Sequence, residues 1–258
     1  MPGRRHARAP RPAPWPRAAA AGPAASAWRT YHGRVISVIV PLRNEAALVR
    51  EAVEALRAQA GDFELLLADG GSTDGTLEIA QALPGVRCVR SAPGRGVQMN
   101  AAAAVARGSV FLFLHVDTRL EPGALLALER AVAAGLQAGA FTHRFDHPDW
   151  RLRLVSWGHN LSCRIGRIYY GDHGIFVTRE LFERVGGFPE VPVLEDVMFC
   201  ERLRRHARGR LLAPVATTGA RRFLQLGVWR TTARGLWILA QHRLGRVPDG
   251  RGFREEVR

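Results

Sequence analysis

Residues 111–118 read FLFLHVDT, an apolar run that leads directly into His115 and Asp117. If the run is a buried strand, two residues of spacing put both side chains on one face. A carboxylate there can hold a divalent cation that carries phosphate oxygens. Magnesium takes one or two protein carboxylates plus phosphates, and manganese accepts similar ligands. The plainer readings are a satisfied core histidine for His115 and a helix cap near Pro122 for Asp117. For His115 both remain open. For Asp117 the ligand role is favoured, because it falls where other polar clusters fall. The richest of these is Asp69-Gly70-Gly71-Ser72-Thr73-Asp74-Gly75. Its glycines permit a tight turn and close backbone approach. Asp69, at a strand end, can accept hydrogen bonds from a base or sugar, while Asp74 suits turn or cap chemistry. The loop has neither the Gly-Lys-Ser/Thr of a phosphate-binding P-loop nor the G-x-G-x-x-G of a dinucleotide site.

The elements that must position these groups follow from periodicity. RVISVIV (34–40) is a β-branched strand stopped by Pro41, and Asn44 can cap a helix over 45–59. FELLLA (63–68), VRCVRS (86–91) and VFLFLHV (110–116) read as further strands. A short helix over 75–82 and an Ala-rich helix opened by Gly94-Arg95-Gly96 lie between them. Alternating strands and helices mean βαβ units and a mostly parallel sheet. Ligands of such sheets bind beyond the carboxyl ends of the strands. PLRNE, DGGSTDG and HVDT all fall at that edge.

The 258 residues, 47% hydrophobic, suffice for one sizeable domain with appendages. All the formal excess of +14 comes from arginine, since lysine is absent, and seven arginines lie in residues 1–34, which have no acidic residue. That Pro/Ala/Arg-rich segment reads as a disordered tail. The remaining +7, without a helix-turn-helix, zinc-finger or aromatic RNA-binding pattern, argues against a nucleic-acid partner. Cys88, Cys163 and Cys200 show no ligand spacing and suit structural roles in a reduced, cytoplasmic protein. No stretch approaches the roughly 18–20 apolar residues of a membrane span.

The order SVIVPLRNE, LLLADGGSTDGT, FLFLHVDT, GDHGIFVTRELFERVGGF, LEDVMFCERLRR resembles family 2 glycosyltransferases over about residues 35–223. GRGVQMN, FLHVDT, GDHGIF and ARRF are closest to the bacterial radical-SAM/selenodomain-associated subgroup, linked by name to arsenosugar biosynthesis. The resemblance implies the GT-A (Rossmann-like) α/β fold, a mostly parallel sheet with helices on both faces in a single catalytic domain. It implies a nucleotide-binding half (35–118) and an acceptor half (119–223); residues 224–258 read, from their own spacing and composition, as an amphipathic helix and tail. HVDT resembles the Asp-x-Asp motif, with His115 in place of the first carboxylate, so Asp117, with His115 beside it, would present Mg2+ or Mn2+ to the diphosphate of a UDP- or GDP-sugar. DGGSTDG resembles DDGSTDG with Gly70 in place of the second Asp. Pro41, Arg43, Glu45 and Asp69 would line the nucleotide pocket, Arg95 and Asn100 would approach ribose or diphosphate, and Arg221 and Arg222 would close over the phosphates. Asp196 would be the catalytic base, oriented by Glu195, although both could simply cap the following helix. Asp172 and His173 would contact the acceptor.

The segments 150–171 and 223–246 mix Trp, Leu and Arg at helical spacing. This suits a helix packed on the domain or one lying on an anionic membrane surface. The expected function is inverting, metal-dependent sugar transfer to a small-molecule, lipid or glycan hydroxyl, in the cytoplasm or at the inner face of the membrane. The rival readings are a non-catalytic nucleotide-sugar-binding protein and a nucleotidyltransferase.

Overall fold

In the computed structural model, which describes residues 36–246, the first β-branched run forms β1 (Ile36–Leu42) at the heart of an eight-stranded sheet. The other strands are β2 (Phe63–Asp69), β3 (Val86–Arg90), β4 (Val110–Phe113), β5 (Thr118–Leu120), β6 (Ala138–Phe145), β7 (Ile175–Thr178) and β8 (Arg210–Thr218). Their order is β3-β2-β1-β4-β7-β6-β8-β5. The pairs β3-β2, β2-β1, β1-β4 and β6-β8 are parallel, whereas β4-β7, β6-β7 and β5-β8 are antiparallel. The parallel half is the βαβ region that periodicity predicts. Alternation along the strands splits the core in two. Val38, Val40, Leu65, Leu67 and Leu112 face α1 (Val49–Arg57) and α4 (Ala124–Ala133). Ile39, Leu66, Ala68, Phe111 and Phe113 face α3 (Arg95–Val105), α6 (Arg179–Arg184) and α7 (Glu195–Leu203). Helices therefore cover both faces, and the rows of residues are apolar on either side, as sheets buried on both faces require. The short helix α2 (Thr76–Ala82) matches its sequence signal.

Three local readings change. Pro41 does not stop β1; it lies inside it, paired with Ala68. The Leu114 N–H bonds to Ile39 O, so residues of that parity face β4. The Pro41 nitrogen therefore points past the end of β4, where no ladder bond is lost. Asn44 does not cap α1, which begins only at Val49. It adopts a left-handed φ of 56°, donates its N–H to Ser72 Oγ at 2.9 Å and accepts from Thr73 N–H at 2.9 Å. It thus stitches the loop after β1 to the loop after β2. Lastly, β4 ends at Phe113. His115 and Asp117 sit in a turn closed by the Thr118 N–H to His115 O bond at 3.1 Å, so strand alternation does not set their direction.

The expected tail 1–34 and the end beyond residue 246 lie outside the described residues. Neither expected boundary is a break in the fold. Position 118/119 falls inside β5, and 223/224 falls inside α8 (Arg221–Leu226). The helix α9 (Val228–Arg243) packs through Val228 with Phe145, Leu152 and Val155, the last two from α5 (Trp150–Gly166).

Candidate functional site

The carboxyl ends of β1, β2 and β4 open onto one edge, and the polar clusters meet there. Asp69 is buried; its Oδ2 accepts from the N–H groups of Gly71 at 3.0 Å and Ser72 at 3.2 Å, and its Oδ1 accepts from Ser72 N–H at 3.3 Å. It shapes the loop, and a ligand would have to compete with those bonds. Asp74 accepts from Ala46 and Thr76 N–H, which is the turn role expected of it. Gln98 reaches across from α3 and donates to Leu42 O at 2.6 Å and Ala68 O at 2.8 Å, tying the ends of β1 and β2 together. A Cβ at Gly70 would come within 2.7 Å of Gln98 Cδ, closer than real side chains approach. The glycine and the glutamine are therefore one packing unit.

The HVDT turn is fixed from the other half. β5 and β8 pair antiparallel, the Thr118 and Thr218 hydroxyls bond at 2.9 Å, and Gly219 N–H donates to Asp117 O at 3.1 Å. This pairing brings Arg221, just after β8, to the same edge. Burial, then Asp172, push the Asp117 carboxyl up, while Arg95 pulls it down. Glu45 is likewise raised by burial and by Asp117, and lowered by Arg221 and Arg95. Glu45 and Asp117, both raised by burial and with the Asp117 charge opposing that of Glu45, thus stand together at this edge. A divalent cation there would relieve that repulsion, so this donor set fits one. His115 lies against Gly171, whose Cβ would overlap its ring. Burial, then Arg95, drive His115 down to about 3, so its imidazole is neutral. That leaves it competent as a ligand and equally consistent with packing.

The acidic pair opens α7. Leu194 before it takes a left-handed φ of 64°, strain that costs a branched side chain about 1–2 kcal/mol. Phe188, stacked on Phe199 with centroids 4.0 Å apart, anchors the turn leading there. Glu195 is buried, with Oε1 3.8 Å from Arg95 Nη1. Asp196 accepts from Gly171 N–H at 2.8 Å and from Val197 N–H at 2.7 Å. Those bonds and the helix N-terminus would depress an ordinary capping carboxyl. Instead burial, then the Glu195 charge, push Asp196 up to about 7. The pair is therefore more than a cap, because the net environment works against charge on Asp196. A carboxylate held near neutrality is suited to taking a proton.

Arg95, Asp117, Asp172, Glu195, Asp196, Glu45 and Arg221 are thus brought into one electrostatic neighbourhood. Arg43 is exposed at the same edge. Two expected ligand residues belong elsewhere. Asn100 is buried and grips Phe188 at both ends, donating to its O and accepting from its N, each at 2.9 Å. It clamps α3 to the turn before α7 and is not turned towards a ribose or diphosphate. On a helical wheel Gln98 shares the Arg95 face and Asn100 does not, a signal present in the sequence. His173 is fully buried and bonds through Nδ1 to Phe141 O at 3.1 Å. It faces the core rather than an acceptor.

A model of glycosyl transferase family 2 matches residues 37–182, more than half of the chain. An uncharacterized protein of Mycobacterium tuberculosis, MT1568, is 37% identical over 196 residues, 66% of this chain and 61% of that protein. A PGL/p-HBAD biosynthesis glycosyltransferase of Mycobacterium bovis is 38% identical over 100 residues, 36% of this chain and 39% of that one. The chain therefore spans less than two thirds of the length of either relative. The fold is like that of S. aureus TarS (residues 1–349), with TM-score 0.58 and 20% identity over 72% of this chain and 61% of that one. It is also like the mannosyltransferase PcManGT of Pyrobaculum calidifontis, solved with GDP-Man and Mn2+, with TM-score 0.59 and 23% identity over 75% and 62% of the two chains. These are GT-A folds, and the α/β sheet covered on both faces is the same architecture. With the motif order, the shared sheet edge and the family model in agreement, this chain belongs to glycosyl transferase family 2.

Proposed function

We propose that the chain transfers a sugar from a nucleotide-sugar donor to an acceptor hydroxyl, with inversion and with a divalent metal, within the radical-SAM/selenodomain-associated subgroup that its motifs resemble. The observation that carries this is the acidic pair opening α7 at the sheet edge, with Glu195 3.8 Å from Arg95 and Asp196 held by the Gly171 N–H and raised by burial. The donor's diphosphate lies against Arg95 and Arg221, whose guanidinium groups suit phosphate oxygens. Asp117, with His115 or Glu45 nearby, would hold Mg2+ or Mn2+, which when bound would supply charge neutralisation for the leaving diphosphate. Asp196 takes the proton of the acceptor hydroxyl as that oxygen attacks the anomeric carbon from the face opposite the nucleotide. Glu195, paired with Arg95, holds the first turn of α7 and keeps Asp196 basic. The donor is a UDP- or GDP-sugar. TarS has been solved with UDP and PcManGT with GDP-Man, and this edge carries the same kind of fold.

The acceptor reading rests on an exposed stripe. On α5, Trp150, Leu154, Trp157, Leu161 and Ile165 face solvent, and on α9 Trp229, Leu236 and Trp237 do. Trp150 and Trp229 meet edge to face at 6.1 Å. Both helices carry arginines and no acidic residue. Apolar stripes flanked by arginine match an anionic bilayer surface, so the protein works at the cytoplasmic face of the membrane on a lipid-borne hydroxyl. Among the described residues no helix is long and apolar enough to cross a membrane.

Calorimetric titration of the chain with UDP, GDP and dTDP, with Mn2+ and with chelator, tests the donor site. Binding of one nucleotide that is lost with chelator and in Asp117→Ala is expected. Binding unaffected by both would remove the metal role. Binding without donor hydrolysis or transfer to any hydroxyl would leave a nucleotide-sugar-binding protein.

A further inference from the structure

Behind the site lies a cluster that the transfer chemistry does not use. His143 on β6, His159 on the inner face of α5 and His173 in the 3-10 turn before β7 bring one nitrogen each within 4.8 Å of the others. The side chains of His143 and His173 have no exposed surface. Neither ring nitrogen of His143 has a hydrogen-bond partner, nor do His159 Nδ1 and Asp172 Oδ1. Asp172 Oδ2 lies 3.4 Å from His143 Nε2, too poorly directed to count as a hydrogen bond, and Asp172 Oδ1 lies 3.8 Å from His173 Nε2. Leaving so many buried polar atoms unpaired is costly, unless something absent from the protein chain satisfies them.

We propose that His143, His159 and His173, with Asp172 as fourth ligand, form a closed transition-metal site best matched to Zn2+, separate from the cation at Asp117. Imidazole nitrogens with one carboxylate are zinc chemistry, whereas a magnesium site would be oxygen-rich. The second shell is in place. Nδ1–H of His173 donates to Phe141 O, which fixes the tautomer and leaves Nε2 as an acceptor facing the cluster, engaged only by a long S–H bond from Cys163 that a metal would displace. The His143 backbone is held at both its N–H and its O by the Asn160 side chain, at 2.8 and 2.9 Å. With Zn–N bonds of about 2.0–2.1 Å, tetrahedral neighbours stand about 3.3 Å apart, so ring rotations of about 1 Å close the set. Cys163 Sγ, 3.8 Å from His173 Nε2, sits beside the cluster as a neutral thiol. A metal here pins three elements together, β6, α5 and the Gly171–His173 turn. The same turn carries the Gly171 N–H that holds Asp196. The site is therefore structural in kind, and the inference stands whether or not the transfer reaction is as proposed.

The test uses the full chain without a histidine tag, stripped of metal and then given Zn2+ or Co2+. One zinc per chain is expected, as in closed four-coordinate sites, with a Tm rise of about 5–10 °C at hundredfold excess over Kd. The cobalt protein should show the visible bands of a tetrahedral ion without thiolate charge transfer. His159→Gln and His143→Asn, one at a time, should lose the metal and the Tm response, whereas Asp117→Ala keeps both. Three results overturn the proposal: a folded wild-type chain that takes up no zinc, zinc lost in Asp117→Ala but kept in His159→Gln, or an octahedral cobalt spectrum. If the variants fail to fold, wild-type stoichiometry and the cobalt spectrum still decide it.

Discussion

Replacing Asp196 with Asn should make the protein more stable at alkaline pH while abolishing most of its transfer activity. Asp196 is lifted from 3.8 to about 7, by burial first and by Glu195 second. At 1.36 kcal/mol per pH unit, the ionised form is penalised by up to about 4 kcal/mol in the fold. A carboxyl raised on folding binds its proton more tightly folded than unfolded. Its stabilising contribution is therefore present below about pH 4 and is lost as pH rises towards 7. Asparagine removes the charge but keeps only one acceptor oxygen for the two N–H groups of Gly171 and Val197. Losing that bond costs about 1–2 kcal/mol. The net gain at pH 8 is about 1–3 kcal/mol, a Tm rise of about 2–10 °C for a chain of this size. Near pH 4.5, where Asp196 is protonated in the wild type, the gain should vanish and reverse sign. Thermal melts of both proteins at the two pH values measure this directly. Transfer should fall about 10²–10⁴-fold, as loss of a general base does. An equal Tm difference at both pH values, or a less stable variant at pH 8, would refute the raised Asp196 and with it the basis for its role.

The wild-type pH profile of kcat/KM should climb through about pH 7, where Asp196 loses its proton, and flatten in Asp196→Asn; a flat wild-type profile counts against the base. Gly70→Asp should destabilise by about 1–3 kcal/mol through overlap with Gln98. Gln98→Ala in the same chain should recover part of that loss in denaturant melts, and strict additivity would contradict the shared packing unit. Asn100→Ala should cost about 2–4 kcal/mol, since two buried bonds to Phe188 go, while nucleotide Kd measured below the melt stays near wild type; a selective loss of binding would restore its ligand role. Trp157→Ser with Trp237→Ser should reduce co-sedimentation with phosphatidylglycerol vesicles about tenfold or more, and unchanged pelleting would remove the membrane reading.

The sequence by itself determined the parallel half of the sheet and the edge that carries the site. Strands β1 to β4 are short β-branched or apolar runs punctuated by Gly, Pro and Asp, so local pattern suffices to find them, and parallel connection sends their carboxyl ends one way. Asp117 was legible as a polar residue closing the β4 run, whereas Arg95, Glu195 and Asp196 stood out only through the resemblance of their motifs to the family. The tertiary structure decided what each of those groups experiences. Asp196 rises to about 7 because Glu195 and the surrounding core crowd it, a sum over neighbours that spacing along a chain does not contain. Asn100 and Gln98 exchange roles because α3 turns one to Phe188 and the other to the ends of β1 and β2. His143, His159 and His173 stand 16 and 14 residues apart in the chain, with none of the short spacings by which a metal site announces itself. Only the packing of α5 across β6 and the turn before β7 brings their rings to within about 5–6 Å of one another.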